Sequence, residues 1–221
     1  MVRRRLSLVV WLGALLLAAG SVRAELVTMH AAQVGTGNQV WGGVGLTFDV
    51  VSSFGIRVQD LGVYDSGPVG IQGSTTLSTY VFDTSSGDVL AQMPFASGDA
   101  MDAEGSYLFK SLSHPLYLAP GRYTIMGYGW DAQNPEYNNN NDPRAGWPIF
   151  DGGGSIEFVE SVWTAPGTVA PGTLPVRQGN PDYFNAANMR FVHVPVPGAA
   201  LLGVLGLGAA GFRLRKRAGT C

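Results

Sequence analysis

Cysteine is almost missing from this chain: the one example, Cys221, lies beyond a C-terminal basic cluster. Residues 25–193 therefore hold no disulfide, and a domain there must be stable through its hydrophobic core. Basic residues are scarce in the same region. Residues 25–194 carry six Lys and Arg against all sixteen acidic residues, a net charge of −10. Such a body repels a phosphate backbone, which argues against nucleic acid as a partner. Neither of the two long apolar runs, residues 6–19 and 198–212, reaches the roughly 20 residues of a full membrane span. No stretch of the body keeps a helical 3.6-residue period over three turns.

What is present at the N-terminus has three parts. Arg3, Arg4 and Arg5 precede the uncharged run over 6–19, and Gly20-Ser21-Val22-Arg23-Ala24 supplies small residues where a signal peptidase reads. The order predicts export, with cleavage between Ala24 and Glu25. The 170 residues of 25–194 suffice for one domain with a substantial core.

Within that body, short apolar runs alternate with turn residues. Strands are predicted over 45–51, 56–64, 76–83, 89–93, 107–112, 121–130, 155–163 and 189–194. Leu46, Phe48 and Val50 point one way and Thr47 and Asp49 the other; Tyr123, Ile125 and Gly127 alternate with Thr124, Met126 and Tyr128. Turns fall at Asp65-Ser66-Gly67-Pro68, Ser85-Ser86-Gly87-Asp88 and Ala119-Pro120-Gly121. The expected fold is all-β, an antiparallel, jelly-roll-like β-sandwich. Two segments interrupt it: 134–147, with four consecutive asparagines, and 164–182, rich in Pro and Gly, read as a long loop or an edge-wrapping segment.

Candidate chemistry is sparse. His30, His114 and His193 stand at no metal-ligand spacing and read as surface or satisfied strand residues. There is no Gly-x-Ser-x-Gly elbow, and the glycines at 35, 37, 42 and 43 lack the strand-then-helix setting of a phosphate loop. Sixteen acids permit a glycosidase pair, but nothing in the sequence selects one. Asp131, Asn141 and Asp142 offer oxygen ligands in a loop, the chemistry of a possible Ca2+ site, at a spacing that fits no EF-hand. Trp130, Tyr137 and Trp147 border the same loop, and rings beside amides suit a saccharide surface.

The C-terminal segment is the sharpest signal. Val194-Pro195-Val196-Pro197 leads into the uncharged run 198–212, and Arg213, Arg215, Lys216 and Arg217 follow. Proline at a helix start is favourable, so a transmembrane helix is expected over 198–214. The basic cluster marks its cytoplasmic end, where Cys221 is also expected. This order resembles the PEP-CTERM sorting signal, which is read by an exosortase, a membrane cysteine protease of Gram-negative-type envelopes. The usual motif has Glu between the prolines; Val196 occupies that place here, as in an aliphatic variant, and leaves the exosortase type open. The body, through Leu61-Gly62-Val63-Tyr64-Asp65-Ser66-Gly67, Tyr80-Val81-Phe82-Asp83, Gly87-Asp88-Val89-Leu90-Ala91 and Tyr117-Leu118-Ala119-Pro120-Gly121-Arg122-Tyr123, is similar to a bacterial extracellular β-sandwich family of undefined function. That likeness implies the fold and transfers no catalytic residue.

The expected organisation is a signal peptide over 1–24, the sandwich over 25–193, a sorting signal over 194–217 and a short tip over 218–221. The expected role is a non-enzymatic, exosortase-sorted surface or matrix protein associated with extracellular polysaccharide or biofilm. It would meet signal peptidase and exosortase and pass transiently through the inner membrane. The alternatives are a carbohydrate-binding module at the loop near Trp130 and Trp147, and a hydrolase of envelope polymers.

Overall fold

The structure, a computed structural model, describes residues 25–30, 37–66, 70–136, 151–165, 171–174, 184 and 186–194. Ten strands form: β1 (Val27–Thr28), β2 (Gly43–Val50), β3 (Ile56–Tyr64), β4 (Thr76–Asp83), β5 (Val89–Ala96), β6 (Asp102–Glu104), β7 (Tyr107–Leu118), β8 (Gly121–Tyr128), β9 (Ile156–Thr164) and β10 (Ala187–His193). They make two five-stranded antiparallel sheets. Sheet A runs β1-β10-β3-β7-β6 and sheet B runs β5-β4-β8-β2-β9. The described chain is all-β and sandwich-like, and it contains no helix.

Alternation builds the layer between the sheets. Leu46, Phe48 and Val50 of β2 and Tyr123 and Ile125 of β8 meet Ala187, Met189 and Phe191 of β10 in one buried cluster. On β3 a bulge between Val58 and Asp60 adds Gln59, so Ile56 and Val58 point inward below it and Leu61 and Val63 above it. Without that extra residue one half of the strand would turn its apolar side to water.

The same irregularity explains why β7 continues to Leu118 rather than ending at 112. Opposite Val58 and Asp60, β7 jumps from Leu116 to Ser111 and carries Leu112–Pro115 as an excursion. Pro115 has no N–H to offer a ladder, and the excursion asks none of it. Strand β1 and the three-residue β6 are edge pieces that the sequence pattern does not announce. In the middle of sheet B, β8 ends at Tyr128, two residues before the predicted limit, because Gly129 at φ +102° turns the chain.

The two ends of the sandwich carry different elements. One end holds the β2–β3 turn (51–55), the β7–β8 turn (119–120), the start of β9 and the close of β10 at His193. The other holds the entry to β2, the exit from β8 and loops 65–75 and 129–136.

Candidate functional site

Of the expected saccharide and calcium residues, Trp130 and Asp131 are described, and both fall at the second of these ends. Trp130 follows the turn at Gly129 and folds back into the core, 4% exposed, among Val44, Val63, Leu77, Phe95 and Leu108. The tip of its six-membered ring points at Gly127, where any Cβ would run into it. Trp130 is therefore a plug between the sheets and presents no face to a sugar, which corrects the expectation for this residue. Its indole Nε1 has no hydrogen-bond partner among the described residues. The half-buried rings nearby are instead Trp41 and Trp163, packed edge to face at 4.8 Å, with Trp41 Nε1 donating to Gln39 Oε1. They lie over a hundred residues apart in sequence, and only the pairing of β2 with β9 brings them together.

Asp131 spends its carboxylate on the loop itself. Its Oδ1 accepts from the backbone N–H groups of Gln133 (2.9 Å) and Asn134 (2.8 Å), an Asx turn, and its Oδ2 accepts from the Thr75 hydroxyl. These bonds hold its pKa below the usual carboxylate range, the Thr75 contact foremost. Asn134, buried, clamps the neighbouring loop: its Oδ1 accepts from Gln72 N at 2.7 Å and its Nδ2 donates to Gln72 O at 3.1 Å. Glu136 forms a backbone bridge with Gln39, and burial pushes its carboxyl up to about 8. Asp65 is raised by burial as well, partly offset by the N–H of Gly70 donating to its Oδ2 at 2.9 Å. Among the described residues no group of three or more His, Cys, Asp or Glu could hold a metal ion.

The outer face of sheet B is unexpectedly dry. Tyr80, Phe82, Met126, Tyr128 and Val162 form an aromatic cluster there, with Leu174 packed over it. The Tyr128 hydroxyl donates to Thr173 O at 2.9 Å, and Gly172 lies against the Tyr80 ring. The described part of the Pro/Gly-rich segment, 171–174, is thus a strap across this face. Gln92 of the edge strand donates to the Tyr80 hydroxyl at 2.8 Å.

On the outer face of sheet A, Arg190 reaches across the strands. Its guanidinium stacks on Phe109 at 4.0 Å and pairs with Asp102 and with Glu104 (2.8 Å), and Thr28 donates to the same Glu104 oxygen. Gly62 makes room, since a Cβ there would stand 2.5 Å from the Phe109 ring. Beside this group His30 is fully buried, its ring stacked near Tyr107 at 6.4 Å. Neither ring nitrogen has a hydrogen-bond partner among the described residues. Burial drives its pKa down to about 3. His193 does pair, with Ser155 Oγ at 2.7 Å, and His114 is exposed in the β7 excursion.

Tyr137, Trp147, Asn141 and Asp142 lie outside the described residues, as do Ala24, Pro195, Val196, Pro197, the expected helix over 198–214, and Arg213, Arg215, Lys216 and Arg217. Glu25 and Val194 are the described residues that border the two end segments. Among the described residues no helix is long and apolar enough to cross a membrane. No protein-family model matches the chain, and no curated protein does.

Proposed function

We propose that this chain is an exported, non-enzymatic surface or matrix protein, sorted through its C-terminal segment by an exosortase and associated with extracellular polysaccharide. The observation that carries the reading is the order at residues 194–217: a Val-Pro-Val-Pro motif, an uncharged apolar run and a cluster of four basic residues. The folded body supports it by where it stops. Its first strand begins at Val27, just after the expected cleavage at Ala24, and its last ends at His193, just before Pro195. The strands of the described residues thus lie between the two expected processing segments. A body carrying −10 stays soluble outside the cell and has no attraction for nucleic acid.

We read the sandwich further as jelly-roll-like, because consecutive strands cross between the sheets at β1–β2, β2–β3, β3–β4, β5–β6, β7–β8 and β9–β10. The test of sorting is expression in a host with and without its exosortase, followed by mass spectrometry of both termini. A start at Glu25 in both hosts and a C-terminus trimmed near Pro197 only when the exosortase is present is the expected result. An identical, untrimmed C-terminus in both hosts overturns the sorting reading.

A further inference from the structure

Four large apolar side chains stand exposed at the end of the sandwich where β10 closes: Leu26 at 49%, Val51 at 49%, Phe54 at 36% and Tyr117 at 51%. They form one patch. Tyr117 pairs across the ladder with Arg57, and Arg57 with Val192; Leu26, next before the pair of Val27 with Phe191, falls beside Val192. Phe54 and Val51 belong to the adjoining β2–β3 turn. The Tyr117 hydroxyl donates to Phe54 O at 3.2 Å, and Gly55, at φ +71°, lets the Tyr117 ring lie on the turn, where a Cβ would be 2.8 Å from it.

Both ends of the folded body emerge at this patch. His193 pairs with Ile56, next to the turn, and Val194 follows; Glu25 precedes Leu26. Only Pro195-Val196-Pro197 separate Val194 from the uncharged run that starts at Gly198. Three extended residues reach roughly 10 Å. Each headgroup layer of a bilayer is roughly 5–8 Å deep, given a core of about 30 Å in a total of about 40–45 Å. A run seated in the hydrocarbon therefore leaves only a few ångströms for the body to stand away from the surface. That tether brings the end of the body that carries the patch close to the headgroups.

We propose that the Phe54–Tyr117 end of the sandwich is a membrane-contact surface that rests on a zwitterionic bilayer while the chain is anchored. The inference builds on the reading of residues 198–214 as a membrane segment. Tyr117 has the amphipathic form favoured at a lipid–water boundary, a ring with one polar tip, and Phe54 and Val51 supply the apolar contact. Charge selects the lipid. Arg57 is exposed within the patch, but Asp83, Asp88, Asp151 and Glu157 of sheet B and its turns lie at the same end of the sandwich, so the contact is apolar and aromatic rather than a basic attraction to anionic lipid.

The test uses the full chain with Cys221→Ser, reconstituted in phosphatidylcholine vesicles, with a single spin label at Phe54→Cys, Tyr117→Cys, Val40→Cys or Leu205→Cys. Collision rates with oxygen and with a water-soluble nickel complex report depth. The expected result is an oxygen-to-nickel ratio several-fold higher at 54 and 117 than at 40, which is exposed at the opposite end, with 205 higher still. Labels at 54 and 117 as wet as that at 40, with 205 in the hydrocarbon, overturn the contact surface and leave the anchor. A wet label at 205 overturns the anchor and the contact together. Protection at 54 that disappears on dilution into excess lipid assigns the patch to a second copy of the chain and overturns the proposal. As an independent reading, the double substitution Phe54→Ser/Tyr117→Ser is expected to move a label at Val51→Cys toward water.

Discussion

At one end of the sandwich Trp130 fills the gap between the sheets, Asn134 and Asp131 tie two loops together, and Glu136 and His30 are buried nearby or just below. At the other end Phe54, Tyr117, Val51 and Leu26 stay in contact with solvent beside the residues that lead to both end segments. The same strands reach both ends, so strand pairing is not what separates them. The difference lies in the connections. Loops 65–75 and 129–136 are long enough to fold inward and to be held by side-chain caps, whereas the turns at 51–55 and 119–120 are too short to cover anything. A sealed end concentrates stability and buried titratable groups; an open end leaves apolar surface available.

The contrast can be broken most forcefully at Trp130. Trp130→Ala removes the largest plug and is expected to cost about 3–5 kcal/mol of unfolding free energy, read as a lower urea midpoint. A loss under about 1 kcal/mol would mean the sealed end contributes no more than an exposed site. The pH dependence comes next, and both groups responsible belong to the sealed side. His30 has a folded pKa of about 3, below its ordinary 6.5, so the unfolded chain takes up the proton first and stability falls as pH drops below 6.5. Glu136, at about 8 against an ordinary 4.5, has the opposite sign: its contribution is present below 4.5 and is lost as pH rises toward 8.

Between 4.5 and 6.5 the two slopes cancel. The expected profile is a plateau there, with losses of about 1.4 kcal/mol per pH unit on either side. His30→Gln should lessen the loss on the acid side, where Asp131 still contributes, and Glu136→Gln should flatten the alkaline side, as followed by denaturation across pH. A smaller effect is expected at Tyr128→Phe, which frees Thr173 O from its hydroxyl donor and should cost about 1 kcal/mol, together with faster amide exchange at residues 172–174. The smallest is Phe54→Ser at the open end, expected to change solution stability by no more than about 0.5 kcal/mol. A cost as large as that of Trp130→Ala would show Phe54 to be part of the core.

Much of the framework was legible from period-two alternation. The predicted limits of the strands at 56–64 and 76–83 coincide with β3 and β4, and the inward set of β2 and β8 is the observed one. The outward set misleads. Met126 and Tyr128 alternate outward as expected and are nevertheless buried, because Leu174 and Thr173 cover them from some 45 residues away. Trp130 misleads for a related reason. Its neighbours in sequence are loop-like, but its environment is set by Gly127, whose missing side chain leaves room for the ring on the inner face. A glycine inside an otherwise alternating strand, three residues before a tryptophan, was the one local signal. His30 carried none: its burial follows from the pairing of β1 with β10, more than 150 residues downstream.

That pairing bears on time as well as on space. Strand β10 lies inside sheet A, between β1 and β3, and it is the last strand of the body. Before residues 187–193 are available, β3 lacks one of its two neighbours and β1 has none. Closing the sheet requires loops of well over a hundred residues, the kind of non-local contact that makes folding slow. A growing chain of this design stays open until nearly all of the body has been made. The export proposed above would be served by that delay: the strand that locks the sheet is the one that arrives last.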